Sequence, residues 1–208
     1  IPYIYKEIGI ERIGVLTIIW ALIGYFSIFD FGLGRAITQR IASLAGYESD
    51  GKKRTIATTG VFLTLLIGTI GGLVGFVAIE LVGVGWINPA HHLEREIHTS
   101  FLLACLAIPA TTATAGLRGL LEGEQRFKAI NLLKLVLGLS NFLGPMVAIA
   151  LFGPRLDYTV GSLVVARYGI LFAHHFCAKQ VIGNIANNLS RKESRQLVQF
   201  GGWMTLSN

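Results

Sequence analysis

Charge is what this chain has least of. Lysine, arginine, aspartate and glutamate make up 14% of its 208 residues, against roughly a quarter in ordinary soluble domains. Charges keep a folded surface wet, so the deficit argues against a water-soluble fold. Cysteine is scarce as well: Cys105 and Cys177 fall inside different apolar runs and give no sign of a disulfide framework. Several motifs are missing. No glycine-rich loop leads into a helix with the lysine that an ATP site requires, and no serine–histidine–acid or paired-carboxylate spacing marks an enzyme. The start of the chain lacks the basic, apolar and small-residue order of a signal peptide. The basic residues are split among connections, with no aromatic-interleaved patch for nucleic acid.

What is present is apolar sequence in long blocks. Charge-free runs cover 13–29, 55–79, 97–117 and 135–154, and 158–178 is broken only by Arg167. A hydrocarbon core of about 30 Å needs roughly 20 helical residues. Lipid offers the backbone no hydrogen-bonding partners, so the runs must be helices. Barrel strands would be shorter and alternating, and none is visible. The expectation is an all-α integral membrane protein, a polytopic bundle with five spans at about 13–31, 56–80, 97–117, 129–152 and 158–178. Residues 1–182 form this bundle and 183–199 a cytoplasmic interfacial linker, in which Ser190 and Glu193 make a capping box. Residues 200–208 begin a further span. The opening IPYIYKEIGIERIG reads as an extramembrane turn, entered from an earlier helix.

Lysine and arginine counts orient the spans. Twelve lie in the connections after the first, third and fifth spans, and only Lys6, Arg12, Arg95 and Arg155 in the alternate ones. The first set is therefore expected on the cytoplasmic side. The net charge of +6 is mostly this topology signal, with some attraction to anionic membrane lipids.

The spans contain unusual residues. Gly68/Gly72 and Gly71/Gly75 in the second put small residues on one face, which allows close helix packing. Pro109 interrupts the third, where the following threonines can satisfy freed carbonyls. Gly144 and Pro145 interrupt the fourth, beside Asn141. Breakers and an amide at membrane depth suit bent, cavity-lining helices, so Pro109, Gly144 and Pro145 are candidate hinges; static kinks would look the same. Ionisable residues at depth cost at least a few kcal/mol. Arg167 sits mid-span, too deep to reach either surface easily. Lys134 is one to two turns inside the fourth span and can snorkel. Asp30, Arg35 and Arg118 lie near the cytoplasmic ends, and Gly32 and Gly34 permit a bend between the first two. His91, His92, Glu94 and His98 are metal-ligand types in an outer loop without a second clustered partner, so no metal is expected. His174, His175 and Cys177 fit interfacial packing at the inner end of the fifth span.

Three segments then carry a resemblance. GIERIGVLTIIWALIGYFSIFDFGLGRAITQRIA, LRGLLEGEQRFKAINLLKLVLGLSNFLGP and LVQFGGWMTLSN together resemble the bacterial polysaccharide flippases, the Wzx-type exporters. Their superfamily also contains the multidrug and toxin extrusion transporters and the lipid II flippase. The resemblance implies two bundles of about six helices facing across a cavity, with this chain as part of the first. It also implies a bacterial cytoplasmic membrane location and a substrate of oligosaccharide joined through diphosphate to a polyprenyl lipid, with polymerase and chain-length regulators as partners and no cofactor. Guanidinium suits phosphate oxygens, so Arg167, Lys134, Arg35, Arg118 and Asn141 are the candidate cavity residues. Asp30 and Arg35 either pair or gate the cytoplasmic mouth, or simply anchor a helix end. The rival readings are a drug or cation antiporter of the same superfamily, a membrane-embedded glycan polymerase, and a scaffold of the assembly complex.

Overall fold

A computed structural model of the chain describes residues 2–28, 32–44, 50–87, 90–182 and 188–206. Among these it contains seven α-helices and no strand: α1 (Pro2–Ile28), α2 (Leu33–Ala42), α3 (Asp50–Val82), α4 (Glu94–Gly123), α5 (Phe127–Phe152), α6 (Leu156–Ala178) and α7 (Arg191–Leu206). Five are long and apolar enough to cross a membrane: Ile4–Tyr25 within α1, and all of α3, α4, α5 and α6. The chain is thus an all-α, multi-pass membrane protein, as the charge-free runs predict.

Helix α4 is the axis of the bundle. Its most apolar stretch is 72% buried, against 17% for α3 and for α5. The sequence explains the difference. Through its middle and last turns α4 carries Ala104, Ala107, Ala110, Ala113, Ala115, Gly116, Gly119 and Gly123, all buried, and small residues let neighbouring backbones approach. Gly116 lies against Thr64 of α3, and Gly119 against the backbone of Gly34 in α2. Leu73, Val74, Leu135 and Val147 on the outer helices face away from the bundle. In lipid that exposure costs nothing, because acyl chains are as apolar as leucine.

The glycine stripe of α3 packs within the chain. A side chain at Gly68 would collide with Thr112 and Pro109, and one at Gly72 would sit 2.9 Å from the carbonyl oxygen of Cys105. Pro109 has no N–H to offer that carbonyl four residues back, and Gly72 is what approaches it. The threonines serve other carbonyls: Thr111 and Thr112 donate to Ile108 O at 2.8 and 3.1 Å.

Two apolar clusters stack along the bundle. At the basic end Leu33, Ile37, Ile56, Leu117, Leu120, Ile130 and Leu197 join α2, α3, α4, α5 and α7. At the opposite end Ile4, Leu16, Ile19, Val84, Ile97, Phe101, Leu156 and Val160 join α1, α4 and α6.

Three features differ from the sequence-based expectation. The opening segment is helical rather than a turn. It is broken only at Gly9, whose φ of 81° is the left-handed region that glycine tolerates. Ile4, Ile8, Val15, Leu16 and Ile19 keep one buried face through the break. Glu94 and His98 lie in α4 rather than in a loop. Helix α7 runs unbroken across position 200, and it docks on α2 through Arg40, which reaches Glu193 at 2.6 Å and Gln196 at 2.6 Å. Half of the capping box forms: Ser190 Oγ accepts from Glu193 N at 3.4 Å, while Ser190 N donates to Thr59 Oγ1 at 3.2 Å.

Candidate functional site

Three helical stripes converge on one pocket. On α4 they are Thr111, Thr114, Ala115 and Arg118; on α5, Leu133, Lys134 and Leu137; on α6, Arg167, Ile170 and His174. Each set repeats at three or four residues, the spacing that aligns side chains on one helix face. The pocket has about 40 Å³ open to water centres, enough for at least one ordered water.

Its depth profile is set by helix position. Arg167 is eleven residues from either end of α6, about 16 Å from each by helical rise. Arg118 is five residues from the end of α4 and Lys134 seven into α5, both counted from the basic end. The three cations therefore form a ladder from the basic mouth toward mid-bundle, and among the described residues no carboxylate lines the pocket. Arg118 meets Glu122, one turn below, at 3.6 Å. Arg167 has no such relief: its Nε is buried and unpartnered among the described residues. A guanidinium at this depth costs a few kcal/mol or more unless something compensates it.

The neighbouring polar groups help to define the site. Thr114 spends its hydroxyl on Ala110 O at 2.7 Å, and Thr111 on Ile108 O. Their lone pairs stay at the wall. His174 is 2% exposed, and its Nδ1 lies 2.9 Å from Ile170 O. Since a carbonyl only accepts, Nδ1 carries the hydrogen. Nε2 is buried without a partner among the described residues.

Of the residues singled out from sequence, the pocket unites Arg118, Lys134 and Arg167. Asn141 continues the α5 stripe seven residues beyond Lys134, with Oδ1 buried and without a partner among the described residues. Arg35 is exposed on α2 and does not line the pocket. Asp30 lies outside the described residues. Pro109 and Pro145 are inside unbroken helices, and Gly144 packs against Ser162, which would lie 3.2 Å from an added Cβ. Thr111, Thr114 and His174 were missed by sequence reasoning. Their register with Arg118 and Arg167 was the available signal, but it becomes informative only once the helices are known to face one another.

A second polar site caps the opposite end. Arg12 donates to both carboxylate oxygens of Glu96, at 2.7 and 2.9 Å. Glu96 Oε1 also accepts the backbone N–H of Leu156, 2.5 Å away, at the first turn of α6, where helix donors lack partners. One carboxylate thus ties α1, α4 and α6 together. Arg155 and Asp157 pair beside it at 2.6 Å.

The chain is 27% identical over 206 residues to a protein of Shigella flexneri named "Putative O-antigen transporter", covering 99% of this chain and 48% of that protein. It is 22% identical over 215 residues to the uncharacterized membrane protein EpsK of Bacillus subtilis (strain 168), covering 99% of this chain and 41% of that one. The chain therefore spans less than half the length of these curated relatives. No solved structure matches it. The profile of the polysaccharide biosynthesis proteins matches residues 1–208, and the chain belongs to that family.

Proposed function

We propose that this chain is part of a flippase that moves polyprenyl-diphosphate-linked oligosaccharide across the bacterial cytoplasmic membrane by alternating access, for surface polysaccharide synthesis. The observation that carries this reading is the convergence of Arg118, Lys134 and Arg167 on one pocket that, among the described residues, no carboxylate lines. A diphosphate cannot enter hydrocarbon without its charge being met. A cationic ladder from the basic mouth to mid-depth lowers that barrier with charge-assisted hydrogen bonds. Pro109 and Pro145 are the proposed hinges of the helices bearing the ladder, and the basic end faces the cytoplasm. Asn141, seven residues beyond Lys134 on α5, would meet the first sugar.

A cation antiporter of the same superfamily fits less well, because a cation would want acidic lining residues. A membrane-embedded polymerase fits less well too, since connections 83–93, 124–126 and 153–155 leave little room for a catalytic loop. The test is Arg167→Ala in cells making surface glycan. Glycan display is lost while membrane-inserted protein stays at its normal level. Retained display at that level removes Arg167 from the transport route.

A further inference from the structure

We propose that His174 takes up a proton when the pocket admits its anion and donates Nε2–H to it, so that proton and anion bind together. The inference rests on reading the pocket as a diphosphate site, and it adds a second ligand to that site.

The two edges of the His174 ring are in different surroundings. Nδ1 is tied to Ile170 O of the preceding turn at 2.9 Å, which fixes the hydrogen there and turns the other edge away from the helix backbone. His174 is 2% exposed yet lines the pocket, and Nε2 finds no partner among the described residues. In the neutral ring this nitrogen is a lone pair. A buried polar atom left unpaired costs about 1–3 kcal/mol, so the arrangement is one that a ligand or a proton improves.

The surroundings decide which. Among the described residues, the charged groups that line the pocket with the ring are Arg118 on α4, Lys134 on α5 and Arg167 on α6 itself, with Glu122 one turn from Arg118 as its partner and His175 next in the chain. Arg126 is engaged below, donating to Cys177 O at 2.9 Å. Without an anion, a further positive charge at Nε2 would join Arg118, Lys134 and Arg167 around one small space. With a diphosphate present the balance reverses. A lone pair facing a phosphate oxygen is repulsive, whereas an N–H facing it is a charge-assisted hydrogen bond. Binding the anion therefore draws a proton from water onto Nε2, and release of the anion returns it. No other bond is made or broken. Imidazole is the side chain suited to this exchange, since its charge changes between about pH 5 and 8.

The experiment uses the purified protein in detergent and a soluble dialkyl diphosphate diester, whose two charges do not titrate in this range. Calorimetry at several pH values, in two buffers of different ionisation enthalpy, counts the protons taken up per ligand. The wild type should take up close to one near the top of the range, with affinity falling by up to about tenfold per pH unit. His174→Gln should bind with no uptake and with an affinity flat in pH. Histidine nitrogen NMR on the wild type gives a reading that no variant can spoil. On adding the diester, the His174 signals should pass from the Nδ1–H tautomer to the imidazolium. Binding without proton uptake, uptake that survives in His174→Gln, or a His174 signal that stays neutral would overturn the proposal while leaving the anion site standing. A wild type that does not bind the diester loses the site and this inference together.

Discussion

Replacing Gly119 with alanine would put a methyl group where α4 and α2 already touch. The added Cβ would overlap the carbonyl oxygen of Gly34 and lie 2.8 Å from its carbonyl carbon and 3.0 Å from its Cα. All three are backbone atoms, so no rotamer change relieves the contact and α2 itself must move. Overpacking against a rigid neighbour costs about 3 kcal/mol, the upper part of the usual range. The shift also stretches the bond from Thr38 Oγ1 to Gly119 O, now 3.0 Å, worth about 1 kcal/mol. Against this stands a gain of up to about 1 kcal/mol for alanine over glycine in a helix. The net expectation is a loss of about 3 kcal/mol. Gly138 of α5 is the control, since a Cβ there meets nothing within 4 Å. Gly138→Ala should stabilise by about 0.5–1 kcal/mol. Equilibrium unfolding in mixed detergent–SDS micelles, followed by circular dichroism, measures both. If the two variants move in the same direction, or differ by less than about 1 kcal/mol, the close approach of α2 to α4 is not real.

Other expectations follow from the two ends of the bundle. A double-mutant cycle of Arg12→Gln and Glu96→Gln should give a coupling of about 1–3 kcal/mol, because the pair is bidentate and its side chains are only 26% and 11% exposed. Additive losses would mean the carboxylate is held by Leu156 N alone. Glu193→Ala should leave Arg40 holding α7 through Gln196 alone, costing about 1 kcal/mol for a pair that is partly exposed on the arginine side. Backbone amides of α7 should then exchange about fivefold faster; unchanged exchange would show that Gln196 and Leu197 suffice to hold the helix.

The membrane class and the five spans were legible because they depend on composition, and the absence of charge over some 20 residues has few structural solutions. Helix α2 was not, since its ten residues are held by contacts: Leu33, Ala36, Ile37 and Ile41 are buried because the glycine-rich surface of α4 and residues of α3 and α7 close over them. The same holds for α7, where Ser190 and Glu193 were read as a cap and Glu193 instead spends its carboxylate on Arg40. In the pocket, Arg118, Lys134 and Arg167 could be found from sequence because charge at depth is costly wherever it points. His174 could not. Beside His175 it looks like interfacial packing, and only the bond to Ile170 O shows that one of its nitrogens is left over. Glu96 was hidden too, because its partners Arg12 and Leu156 are distant in the chain.

The central claim is that the face of α6 bearing Arg167 borders water while the opposite face borders lipid. Single cysteines at Thr114, Leu137 and Val165, in a background lacking Cys105 and Cys177, test it by labelling with a charged methanethiosulfonate reagent in membranes. Positions 114 and 137 should react and be protected by the dialkyl diphosphate, while position 165 stays unreactive. Labelling at 165 with silence at 114 and 137 would place Arg167 against the acyl chains and contradict the account.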